Sequence, residues 1–126
     1  MSTTDVAAGI EIAGAPADIA AVMFDPARVP EWIPAVTGVE VIDKVIKPGA
    51  RVRYTGTING QPAEWTTAVQ TFQFPHRLVL EIASGPFQGT LLFDVQRSGT
   101  GSVARLRVPK ELAPDLDKLK ALVESA

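Results

Sequence analysis

The chain has 126 residues, 46% of them hydrophobic and 21% charged, with a formal net charge of -2 and a sequence pI of about 5.3. That length fits one domain over residues 1–126, since domains typically run ~100–150 residues, and the apolar content is too high for a disordered chain. The acidic balance lacks the basic footprint of a nucleic-acid binder, and the absence of cysteine excludes disulfides, thiolate nucleophiles and Cys-ligated metals.

Val6, Ala8, Ile10 and Ile12 fall on one face with Glu11 on the other, which predicts a half-buried strand over 5–13. Pro16 and Asp18 suit the first turn of a short helix over 16–24, with Ile19, Val22 and Met23 at helical spacing. Asp25 then reads as the N-cap and Pro26 as the first residue of a second short helix. Its apolar face carries Val29, Trp32 and Ile33, and Pro34 ends it.

From 36 to 109 the pattern is strands and turns. Val39 and Val41 flank Glu40, and Lys47-Pro48-Gly49 makes a turn. Val52 and Tyr54 alternate with Arg51, Arg53 and Thr55. Asn59-Gly60, between 51–58 and 63–73, is a strong hairpin signal. Phe74-Pro75-His76 turns the chain into Leu78, Leu80 and Ile82. Ser84-Gly85-Pro86 turns it into a strand whose apolar face is Phe87, Leu91, Phe93 and Val95. Ser98-Gly99-Thr100-Gly101 leads to Ala104, Leu106 and Val108. Pro114 and Asp115 open an amphipathic helix of about three turns over 114–125, with Leu116, Leu119, Leu122 and Val123 in one stripe.

The order strand, two short helices, six strands, helix predicts an α+β domain with a curved seven-stranded antiparallel sheet. Its first strand must pair beside its last, and the helices cover its one apolar face. A single short helix would not fill the concave side, and an unfilled apolar space is an ordinary ligand site.

Several segments resemble the START/polyketide cyclase superfamily (SRPBCC, helix-grip fold). They are Ile12-Ala13-Gly14-Ala15-Pro16-Ala17-Asp18-Ile19, Phe24-Asp25-Pro26, Val29-Pro30-Glu31-Trp32-Ile33-Pro34, Pro48-Gly49-Ala50-Arg51-Val52-Arg53, Phe74-Pro75-His76-Arg77-Leu78 and Gly85-Pro86-Phe87-Gln88-Gly89-Thr90. The resemblance spans essentially the whole chain. It implies a helix-grip fold around a hydrophobic cavity and a protein that binds a small hydrophobic molecule. Members include cofactor-independent cyclases and dehydratases as well as lipid and isoprenoid carriers or sensors. Relatives usually end in a helix of five or more turns. The shorter helix here implies a cavity mouth that is open or covered by a second subunit in a homodimer.

On the concave face the polar groups are few: the Tyr54 hydroxyl, the Trp65 indole and the Thr67 hydroxyl. Buried Tyr and Trp need partners for their polar atoms. Those partners are backbone groups if the core is filled, and a ligand if it is not. The ligand-contacting set expected is Trp32, Tyr54, Trp65, Thr67, Leu80, Leu91, Phe93 and Leu106. For a cyclase, Tyr54 would polarise a carbonyl or donate a proton, and Glu31 would be a base only if burial raised its pKa. His76 is the only histidine and sits in a turn, so no metal site is expected and no cofactor is implied. Arg51, Arg53, Glu64, Glu81, Asp94, Arg105 and Arg107 are expected on the convex face, unless the register slips by one residue and turns them inward. No signal peptide and no bilayer-spanning segment is expected, and the expected location is the cytoplasm.

Overall fold

The computed structural model describes residues 5–125. Seven antiparallel strands form one sheet: β1 (Asp5–Ile12), β2 (Val36–Val41), β3 (Arg51–Ile58), β4 (Gln61–Gln73), β5 (Arg77–Ser84), β6 (Thr90–Ser98) and β7 (Gly101–Pro109). Their spatial order is β1-β7-β6-β5-β4-β3-β2, so every neighbour from β2 to β7 is a hairpin partner. The first strand crosses to lie beside the last, as expected from the helices that follow it. Helix α1 (Pro16–Met23) packs on β6 and β7, and the terminal helix α2 (Leu116–Glu124) packs on β1 and α1.

The buried positions follow the alternation in the sequence. In β3, Val52, Tyr54, Gly56 and Ile58 are buried while Arg51, Arg53, Thr55 and Thr57 are exposed. In β4, Trp65, Thr67 and Val69 point inward and Glu64 points out, so the register places the aromatic residue, not the acid, in the core. The convex face carries short cross-strand ion pairs. Arg53 meets Glu40 at 3.0 Å and Arg77 meets Asp94 at 3.3 Å, each pair being Cα partners of the ladder.

Three local features differ from the sequence expectation. The second short helix is a 3-10 helix over Pro26–Glu31, because Pro30 inside it has no N–H to donate. Strand β6 begins at Thr90, not Phe87, because Gly85 and Gly89 adopt φ of 145° and 147° and carry residues 85–89 as a loop. Phe87 leaves the strand, yet its ring still packs on Trp65 at 5.4 Å. A second 3-10 turn, Lys110–Leu112, was not anticipated; it follows β7 and buries Leu112.

Candidate functional site: a nearly closed apolar interior

Two glycines let Trp65 into the sheet. A Cβ on Gly56 would collide with the Ala35 carbonyl and crowd the indole, and a Cβ on Gly85 would lie 2.5 Å from the Trp65 Cβ. Trp65 therefore seats deep in β4, 1% exposed, with the Tyr54 ring stacked on it from β3. On the other side Phe93 of β6 packs against Trp32 at 5.8 Å and against Phe24 at 6.5 Å.

Trp32 terminates the first 3-10 helix, where its N–H donates to the Val29 carbonyl. Its own carbonyl accepts the Asp115 N–H at 2.8 Å, which ties this helix to the start of α2. Val29, Ile33, Val36, Tyr54, Trp65, Leu91, Phe93 and Leu112 surround what remains of the concavity. Its volume is about 10 Å³, room for roughly one water molecule. The expected incompletely filled cavity is thus corrected. Helix α2 is indeed too short to plug the β2–β4 side, but the two 3-10 segments do so with Trp32, Ile33 and Leu112.

Of the residues expected to contact a ligand, Tyr54, Trp65, Leu91 and Phe93 line the residual void; Trp32 and Thr67 do not, Trp32 packing behind Phe93. Thr67 lies beside Tyr54, fully buried. Leu80 and Leu106 are buried on β5 and β7, on the same face but away from the void. Glu31 is elsewhere. Its carboxylate is exposed and held by Arg28 at 3.0 Å, and that pairing lowers its pKa, the reverse of what a buried general base needs. Val29, Ile33, Val36 and Leu112 also line the void and were not in the expected set. Leu112 stands alone between charged residues and Ala113-Pro114, where no periodicity marks it as core.

The polar groups of this interior are poorly satisfied. Trp32 Nε1 and the Thr67 hydroxyl are buried without any partner of hydrogen-bonding geometry. Burial pushes the Tyr54 phenol up to about 12, and hydrogen bonding with the adjacent Thr67 hydroxyl offsets part of that rise, so Thr67 is the less orphaned of the two groups and Trp32 Nε1 the clear case. The phenol is therefore neutral at physiological pH, able to donate a proton to a hydrogen bond but not to act as a base. Among the described residues no group of three or more His, Cys, Asp or Glu is placed to hold a metal, and no helix is long and apolar enough to cross a membrane.

A curled antiparallel sheet holding a C-terminal helix, with an apolar interior carrying a few polar atoms, defines the helix-grip class. The chain belongs to the polyketide cyclase/dehydrase and lipid transport family, whose pattern matches residues 3–124. Solved structures share the fold at low identity. A START superfamily protein from Mycobacterium smegmatis is 16% identical over 96% of this chain and 97% of its own, with a TM-score of 0.78. A Deinococcus radiodurans protein is also 16% identical, over 97% of this chain and 95% of its own, with a TM-score of 0.78. Ginseng major latex-like protein 151 from Panax ginseng is 16% identical over 84% of this chain and 77% of its own, with a TM-score of 0.67. No curated protein sequence matches the chain. Family membership suggests hydrophobic ligand binding as the coarse property of this fold.

Proposed function

We propose that this protein binds a small, flat hydrophobic molecule bearing an oxygen atom, in the space that the two 3-10 segments now close. The observation that carries this reading is the Trp32 Nε1–H, buried without a partner in an otherwise apolar interior. The Thr67 hydroxyl is also outside strict hydrogen-bonding geometry, but it lies close to the Tyr54 phenol and interacts with it. A buried polar group left without a partner costs about 1–3 kcal/mol, and such groups in folded proteins ordinarily meet a water or a ligand. A guest with one polar atom reaching Trp32 Nε1–H, or with another reaching the neutral Tyr54 phenol beside Thr67, would relieve that cost. Entry requires the cover to move, since the void as it stands holds about one water. That cover consists of short 3-10 segments, and it is joined to α2 through the bond between Trp32 and Asp115. Carrying or sensing such a molecule needs no ionisable group, and Tyr54 is the only titratable side chain on this wall.

Catalysis is a second reading, favoured by Tyr54 alone. A phenol that keeps its proton can polarise a carbonyl while the apolar walls fold the substrate and exclude water. Native mass spectrometry of freshly purified protein separates these outcomes. The binding reading predicts a hydrophobic compound that co-purifies, is recovered unaltered after incubation, and is depleted in Thr67→Val. A compound recovered chemically altered, with turnover lost in Tyr54→Phe, supports the cyclase or dehydratase reading. Protein that stays bare after both expression and incubation with a cell lipid extract contradicts both.

A further inference from the structure

At one end of the molecule the β2–β3 loop meets the β4–β5 turn. Ile46 of the β2–β3 loop, Phe72 at the end of β4 and Phe74 of the turn, with Phe24 and Pro26, line a surface groove of about 210 Å³ that is mostly apolar, Asp25 being its one charged lining residue. Phe74 in its lining and Val45, the chain neighbour of Ile46, are 50% and 60% exposed, the large hydrophobic residues left most open to water among the described residues. Exposed apolar side chains scattered singly need no explanation, but a cluster beside an apolar groove does.

The loop that presents Val45 is a built turn. Lys44 adopts φ 68°, its N–H donates to the Val41 carbonyl at 3.3 Å, and the Val45 N–H donates to the Asp43 carbonyl at 2.8 Å. Lys44 and Lys47 flank the Val45-Ile46 pair, and neither ammonium makes a salt bridge among the described residues. The nearby acids are already engaged. Asp43 is held by Arg51, and the Asp25 carboxylate accepts the Ala27 N–H. Lys47 lies near enough to Asp43 to act on it, but without forming a salt bridge. An apolar tip between two lysines that form no salt bridge is complementary to an anionic lipid surface, where the apolar groups sink into the acyl boundary and the lysines meet the headgroups.

We infer that this end of the protein docks on membranes containing anionic lipids, through Val45, Ile46 and Phe74 with Lys44 and Lys47. An aromatic series leads inward from the docking tip. Phe74 lies 6.2 Å from Phe24, Phe24 is 6.5 Å from Phe93, and Phe93 lines the interior void. These contacts join the docking tip to the wall of the proposed site by packing, and docking stands without that site.

Vesicle co-sedimentation tests the inference with the full chain, using phosphatidylcholine vesicles with and without phosphatidylserine. The protein should sediment with the phosphatidylserine vesicles, less so as salt is raised. Lys44→Gln with Lys47→Gln should weaken that binding by roughly fivefold per lysine. Val45→Ser with Phe74→Ser should abolish it, with circular dichroism confirming that both double variants are folded. The serine variant should still take up a hydrophobic guest from solution, so failure of docking and failure of interior binding read out separately. Absence of vesicle binding, binding unchanged by both double variants, or a patch-dependent dimer in its place would overturn the inference.

Discussion

Tyr54 and Trp65 are direct cross-strand partners of β3 and β4, their rings 5.8 Å apart and 12° from parallel. The stack places the only tyrosine of the chain on the wall of the interior, next to Thr67 and away from bulk water. Because no other tyrosine contributes, its ionisation can be followed directly by tyrosinate absorbance.

The folded protein holds the Tyr54 proton until about pH 12, whereas an unfolded chain releases it near 10. The stabilising contribution is intact below about pH 10 and is lost as pH rises towards 12, since ionisation then favours the unfolded state by on the order of 2–3 kcal/mol. An alkaline absorbance titration should show no tyrosinate until unfolding begins. Ionisation near 10 in still-folded protein would show that the phenol is solvated.

Gly85 should not tolerate a side chain. Its φ of 145° is unfavourable for any L residue, and an added Cβ would press on Trp65. Gly85→Ala should destabilise by roughly 1–3 kcal/mol, with a red-shifted tryptophan emission as Trp65 is pushed towards solvent. Thermal melting with fluorescence detection checks both.

Leu112 closes the void from the cover side, so Leu112→Ala should create a real cavity. The substitution should cost about 2–5 kcal/mol. It should also let the interior take up benzene, which then raises the melting temperature of the variant but not of the wild type. Equal effects of benzene on both proteins would show that Leu112 does not seal the space.

Glu31 pairs with Arg28 on the surface and faces no part of the interior. Glu31→Gln should leave guest uptake unchanged. The pairing holds the Glu31 pKa below the usual carboxylate range, so whatever it adds to stability is present at neutral pH and disappears as the pH falls into the acid range. Comparing uptake in the two proteins by native mass spectrometry checks the first statement, and urea unfolding at neutral and acid pH checks the second.

Strand register was legible because one face of the sheet is buried: the alternation put Val52, Tyr54, Trp65 and Thr67 inward, and the one-residue slip left open at Glu64–Trp65 would have buried the acid. The filling of the interior was not legible. It depends on two side chains: Leu112, in a 3-10 segment of three residues where no periodic signal marks it as core, and Trp32, already placed on the apolar face of its short helix, through its packing against Phe93. The breadth of the residual space follows from how far those two side chains reach, and that is a property of packing between segments distant in sequence. Glu31 was read as a base only if burial raised its pKa, a condition that periodicity cannot decide; its side chain turns along the helix to Arg28 and stays exposed.

The interior's capacity for a guest is tested most directly by the indole N–H signals of Trp32 and Trp65, the only two tryptophans of the chain. They should be followed by two-dimensional NMR during titration with 2-naphthol, a flat apolar molecule bearing one hydroxyl. Both signals should move, and that of Trp32 should shift downfield as its unpartnered N–H gains an acceptor. Two indole signals that stay fixed to saturation would mean that the protein's own side chains are the only occupants of this space.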